Sequence, residues 1–224
     1  MALALAEAGY EVYAIGRSEV ALEQLRAALP GITPIAVDVT DREALEAVVT
    51  GLHIDVLINN AGVMPSLGNF AEMKISDIDA TLEVNLSAAI VLTRLVVPQM
   101  CAREAGHILF TGSSAAHAPF PNIAVYSAAK AALSGFAASL RADLSPYGIR
   151  VTEIVPQSWS RARKEGAQWI TKRPDADNLA KILADAMNKI VYVDDAKVAS
   201  LIVQKRYGEF CRVTVSVIDL EGAA

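Results

Sequence analysis

Between residues 10 and 155, short and continuously apolar runs alternate with stretches of helical periodicity, and few folds accommodate that alternation. The runs are 11–16 (EVYAIG), 32–39 (ITPIAVDV), 55–62 (DVLINNAG), 107–112 (HILFTG) and 150–155 (RVTEIV). The helical stretches are 19–28, 41–50, 78–97 and 126 to about 144, and residues 2–8 read as the end of a further helix closed by Gly9. Strands apolar on both faces need cover on both faces, and helical connections between them make them parallel. The expected class is α/β, a doubly wound parallel sheet. Ligands of such sheets bind beyond the carboxyl ends of the strands. Gly16-Arg17-Ser18, Asp38, Asn59-Asn60-Ala61-Gly62 and Gly112-Ser113-Ser114 all fall at those ends.

Composition narrows the setting. A chain of 224 residues that is 53% hydrophobic can bury a sizeable core as one domain or two small ones. Its charge is uneven: residues 1–156 hold 9 basic against 16 acidic side chains, residues 157–224 hold 11 against 9. A change of sign between halves suggests different partners. Cys101 and Cys211 form no framework and show no metal spacing, which fits a reducing cytoplasm. The start, MALALAEAGYEV, has no basic leader and is interrupted by Glu7, so it makes a poor signal peptide. No run of about 18 apolar residues stands out to span a membrane. A soluble cytoplasmic protein without membrane contact is expected.

The chemistry concentrates in YSAAKAAL. Tyr126 and Lys130 are four apart and share one face of a helix. A phenol with its ordinary pKa of about 10 transfers protons poorly at neutral pH. An ammonium one turn away favours the phenolate and brings the group toward useful acid–base work. Ser113 lies at a strand end, where its hydroxyl could hold a carbonyl oxygen beside that phenol. A Tyr-x-x-x-Lys pair on its own is more often a solvated helix face, so the surrounding residues decide.

Taken with those residues, the segment resembles the short-chain dehydrogenase/reductase family. NNAG (59–62) looks like the family's signature after a central strand, placing Asn60, Ala61 and Gly62 at the cofactor. Asp38 and Val39 match the pair that contacts the adenine. Asn85, in EVNLSAA, matches the asparagine that supports a water-linked proton relay. Ser113, thirteen residues before Tyr126, matches the serine that positions the substrate carbonyl. Tyr126 matches the acid/base, and Lys130 the residue that lowers its pKa and holds the nicotinamide ribose. Pro156 matches a proline that borders the cofactor, although Gln157 stands where the family usually has glycine. In VYAIGRS, Gly16 occupies the place of the acid of NAD-preferring members. Arg17 follows and could pair with a 2′-phosphate, which favours NADP(H) over NAD(H); alternatively Arg17 is a solvated loop residue. The family begins with a strand and a glycine-rich turn that seats the pyrophosphate on a helix N-terminus. Here the sequence starts inside the following helix. That strand belongs between 11–16 and 55–62, so both are expected to lose a neighbour and NADPH binding is expected to be weak or nil.

After Pro156 the character changes. Trp159 and Trp169 sit among Arg161, Arg163, Lys164, Lys172 and Arg173, a pattern that suits a nucleic acid or a solvated linker equally well. From 177 to 190, Leu179, Ile182, Leu183, Ala186 and Ile190 form an apolar helical stripe. Asp175 and Asp177 stand at its start, where an acid can simply cap the helix. Capping does not explain Asp194 and Asp195, which follow the apolar IVYV. Carboxylates converging from two elements make an oxygen-rich seat for Mg²⁺. RPDADNLAKILADAMN and YVDDAKV resemble the RusA-type Holliday-junction resolvases over about 155–224. That resemblance implies Asp175, Asp177 and Asp195 as metal ligands, Lys181 near the scissile phosphate, and Asp185 and Asp194 in support. LIVQKRYGE (201–209) and RVTVSVIDL (212–220) match closing strands.

The expected organisation is a Rossmann-like, truncated doubly wound parallel sheet over 1–156, followed by a small α+β segment over 157–224. A seam falls near IVPQSW, with no Gly/Ser/Pro-rich spacer. The leading expectation for function is an NADP(H)-dependent oxidoreductase that interconverts a small carbonyl and an alcohol, impaired by truncation. The alternatives are a Mg²⁺-dependent junction endonuclease acting on branched DNA, and an inactive chimera of the two. A homo-oligomer is expected.

Overall fold

The computed structural model describes residues 2–28, 31–118, 120–155, 200–205 and 211–215. In chain order the main elements are α1 (Ala2–Glu7), β1 (Tyr10–Gly16), α2 (Glu19–Ala28), β2 (Ile32–Ala36), α3 (Arg42–Thr50) and β3 (Val56–Asn59). There follow α4 (Ile75–Leu82), a π-helical turn (Glu83–Ser87), α5 (Ala88–Ala102), β4 (Gly106–Thr111), α6 (Ala124–Leu144) and β5 (Ile149–Ile154). Two more strands, β6 (Ser200–Lys205) and β7 (Cys211–Val215), complete a seven-stranded sheet in the order β2-β1-β7-β6-β3-β4-β5.

The period-two alternation of the strands divides the interior into two cores. Val12 and Ala14 of β1, Val56 and Ile58 of β3 and Leu109 of β4 point to the face covered by Ala2 and Leu5 of α1 and Leu22 of α2. Ile15, Leu57, Ile108 and Phe110 point to the opposite face. There they meet Leu45 and Val49 of α3, Leu92 and Val96 of α5, and Leu133 and Ala137 of α6. Helices on both faces of a largely parallel sheet are the doubly wound architecture expected.

The gap expected between β1 and β3 is filled, and its occupant comes from the C-terminal part of the chain. β6 runs antiparallel to β3, with Val56 opposite Val203 and Ile58 opposite Leu201. It also runs antiparallel to β1, with Val12 opposite Val203 and Ala14 opposite Leu201. The backbone groups of both neighbours thereby gain partners. β7 lies antiparallel to β6 and touches β1 in parallel through Tyr10 and Glu11. A strand has two hydrogen-bonding edges, so β1 and β7 compete for the β6 edge that faces away from β3. Of the closing strands expected at 201–209 and 212–220, the described residues, within β6 and β7, pair within the main sheet.

Two expected boundaries shift for identifiable reasons. The strand read as 32–39 ends at Ala36, because Asp38 Oδ1 accepts hydrogen bonds from both Thr40 N (2.9 Å) and Thr40 Oγ1 (2.8 Å), closing a turn. The helix read as 78–97 extends over Ile75–Ala102 once the π-helical turn is included. At 28 residues it is apolar and long enough to cross a membrane by length and composition alone, which corrects the expectation that no such run exists. Ala88, Ala89, Leu92, Thr93, Val96 and Met100 are its buried face, and the demands of the core account for that hydropathy.

Candidate functional site

The site lies at the carboxyl ends of β3 and β4, where the start of α6 passes over them. Asn85 sits in the π-helical turn, an irregularity that frequently marks functional helices. Its side chain is fully buried and closes the loop that leaves β3. Nδ2 donates to Val63 O (2.7 Å) and Thr81 O (2.9 Å), and Oδ1 accepts from Val63 N (3.3 Å). A Cβ on Gly62 would lie 3.0 Å from Asn85 Oδ1 and 3.8 Å from Lys130 Nζ, so only glycine leaves that approach unhindered. Asn60 Oδ1 accepts from Thr111 Oγ1 at 2.6 Å, tying the end of β3 to the end of β4.

Lys130 is 3% exposed on the inner face of α6. Its Nζ donates to Thr111 O (2.9 Å) and lies 5.8 Å from the centroid of the Tyr126 ring. Burial pushes its pKa down from the ordinary lysine range to about 8, opposed by the negative charge of Glu153. Tyr126 is half-buried one helical turn earlier. Ser113 caps the short 3₁₀ turn Ser114–Ala116, accepting from Ala115 N at 3.1 Å, and that turn packs on α6. At the far end, Arg17 Nη1 stands 3.6 Å from Asp38 Oδ2, with both side chains partly exposed, and Val39 is buried beside them. An exposed pair of this kind contributes little to stability and leaves guanidinium donors unused among the described residues.

The structure thus brings Asn85, Gly62, Tyr126 and Lys130 together around one point, with Asn60 and Ser113 on the strand ends beside it and Arg17, Asp38 and Val39 toward β1 and β2. Pro156, Asp175, Asp177, Lys181, Asp185, Asp194 and Asp195 lie outside the described residues. Among the described residues, no group of three His, Cys, Asp or Glu side chains is placed to hold a metal. A surface concavity of about 800 Å³ lies elsewhere, along Arg42, Asp79, Leu82, Leu86 and Ile90. Volume and chemistry disagree here; the concavity holds no candidate proton donor beside a carbonyl seat, so chemistry locates the site. Sequence reasoning passed over Thr111, which seats Lys130, and Glu153 of β5.

A family model described as short chain dehydrogenase matches residues 1–168. The chain belongs to the short-chain dehydrogenase family. It is 44% identical over 156 residues to an uncharacterized short-chain type dehydrogenase/reductase, y4eK, of Sinorhizobium fredii, covering 70% of this chain and 62% of that protein. It is 35% identical over 154 residues to NADP-dependent 3-hydroxy acid dehydrogenase YdfG of Escherichia coli, covering 66% and 62%. The chain therefore spans 62% of the length of each of these curated relatives. Serine dehydrogenase from Escherichia coli has a similar structure, with a TM-score of 0.66 and 31% identity over 69% of this chain and 74% of that one. A second family model, Endodeoxyribonuclease RusA, matches residues 126–218. This begins earlier than the resemblance read from sequence and overlaps the first match over 126–168.

Proposed function

We propose that the chain interconverts a small carbonyl and an alcohol with NADP(H) in preference to NAD(H). The observation that carries this reading is the buried Lys130 ammonium, anchored on Thr111 O and set against the Tyr126 ring. A cation so placed stabilises a phenolate, and a phenol poised in this way can give its proton to a developing alkoxide and take it back in the reverse direction. Ser113 accepts from Ala115 N and keeps its hydroxyl hydrogen for a carbonyl oxygen. Asn85 spends its amide on Val63 and Thr81, so its first contribution is to fix the loop that borders the proton path.

The residues present fit the nicotinamide end of the cofactor. Gly62 leaves an open cradle beside Lys130 Nζ, and Arg17 supports NADP(H) by offering guanidinium donors near Asp38. NADP dependence in the name of the YdfG relative points the same way. The cofactor supplies or accepts the hydride. The pyrophosphate end fits less well. A parallel strand between β1 and β3 would deliver a helix N-terminus there, whereas antiparallel β6 brings its own first residue, Ser200. NADPH binding by this chain is accordingly expected to be weak, and a micromolar dissociation constant by calorimetry would overturn that expectation. Where carbonyl-dependent NADPH oxidation is detected, Tyr126→Phe is expected to remove about 10²–10⁴-fold of it. Near-normal turnover in that variant would exclude the proposed proton donor.

A second reading is favoured by the RusA match over 126–218. In it, Asp175, Asp177 and Asp195 bind Mg²⁺, Lys181 faces a scissile phosphate of branched DNA, and a homo-oligomer forms to cut both strands. Carboxylates gathered without a cation repel one another, so Mn²⁺ should raise the melting temperature. The rise should vanish in Asp175→Asn/Asp177→Asn. No metal-dependent shift, with no cleavage of a four-way junction, would dispose of this reading.

A further inference from the structure

Glu153 is an acidic residue of β5 whose side chain is partly buried, and it has no part in the chemistry proposed above. In β5 it is in register with Phe110 of β4. Its Oε2 accepts from Ser134 Oγ of α6 at 2.8 Å. Its Oε1 is buried and accepts no hydrogen bond among the described residues. A carboxylate oxygen left in that state is expensive unless a positive field compensates it. The compensating charge is close at hand. Oε1 lies against Gly112, where any Cβ would collide with it. Gly112 N donates to Ile154 O at 2.9 Å, and the carbonyl of the same peptide group, Thr111 O, accepts from Lys130 Nζ at 2.9 Å. The carboxylate and the ammonium therefore flank one peptide, Thr111–Gly112, without forming a direct ion pair. Gly112 is buried, and across a peptide so placed a field is less screened than in water.

The other groups facing Lys130 among the described residues bring no carboxylate. Tyr126 presents a ring from the same helix, and Gly62 and Asn85 approach as neutral groups from the β3 side. We infer that Glu153 is a positioning residue of the Tyr126–Lys130 pair, its carboxylate keeping the Lys130 ammonium charged in a seat that has no other carboxylate among the described residues. The inference rests on the proton-transfer reading of that pair. Burial opposes the charged ammonium and Glu153 supports it, and the balance leaves the Lys130 pKa at about 8.

The test titrates Lys130 directly in the full chain. Lysine is labelled with ¹³C at Cε, and the Lys130 resonance is assigned by its loss in Lys130→Met. Glu153→Gln keeps the shape and removes the charge. The Lys130 midpoint should fall by about one pH unit or more, while Glu153→Asp should show a smaller fall of the same sign. An unchanged midpoint in a folded Glu153→Gln protein overturns the inference. Should that variant not fold, an unchanged midpoint in Glu153→Asp does the same. The measurement requires no turnover, so its failure is distinct from the failure of the oxidoreductase reading, which Tyr126→Phe addresses.

Discussion

His107 is buried in β4, 3% exposed, with Nε2 2.9 Å from Thr152 Oγ1 and Nδ1 unpartnered among the described residues. Burial first, and the positive charge of Arg150 second, push its pKa down from 6.5 to about 3. The folded state thus resists protonation that the unfolded chain accepts. Stability from this group is complete above about pH 6.5 and is lost as pH falls from there toward 3, by about 5 kcal/mol in all. Urea denaturation followed by circular dichroism at pH 7 and pH 4 should show that loss, and His107→Gln should flatten it. Equal pH dependence in the variant would assign the loss to other groups. Lys130 has the same sign at higher pH: its folded pKa is lowered, so stability should rise as pH increases from about 8 through 10.5.

At the scale of elements, the π-helical turn does the most for the site and is hardest to read from sequence. One extra residue in a helix resets the phase of the apolar pattern, so a search for 3.6-residue periodicity sees a single long helix. Asn85 was singled out only through the family resemblance, and its three hydrogen bonds show what the turn achieves. Asn85→Ala should cost about 2–4 kcal/mol in guanidinium denaturation, because it orphans the buried Val63 N–H and carbonyl as well as removing its own bonds. A cost near zero would mean that water replaces the amide freely. Strand starts were legible to within a residue or two, since continuous apolar runs leave little choice. Strand ends were less so, because Val37 and Val39, on either side of the turning Asp38, continue the apolar run past Ala36. Tyr126 and Lys130 were legible because their relation is one helical turn. Glu153 was not, because Ser134 and Gly112 lie 19 and 41 positions away and meet it only after the sheet has formed.

For the whole molecule, the decisive feature is β6 between β1 and β3. Val56 and Val203 are Cα partners, a spacing compatible with a disulfide. Val56→Cys/Val203→Cys should therefore cross-link on mild oxidation, read by peptide mapping because Cys101 and Cys211 are also present. Failure to cross-link in a folded protein would remove β6 from that position. The sequence could name both closing strands but not their destination, because pairing partners 147 and 191 residues away leave no local trace. That separation also has a consequence in time. A chain emerging from the ribosome completes the β2–β1 pair and the β3–β4–β5 sheet well before residue 200 exists. At ~5–20 residues per second, the 45 residues from the end of β5 to the start of β6 take several seconds. Throughout that interval two apolar strands wait with open edges, each able to pair with the same edge of a neighbouring nascent chain. Slowing initiation, so that fewer copies wait together, should raise the soluble yield of this protein more than slowing elongation, which prolongs the wait.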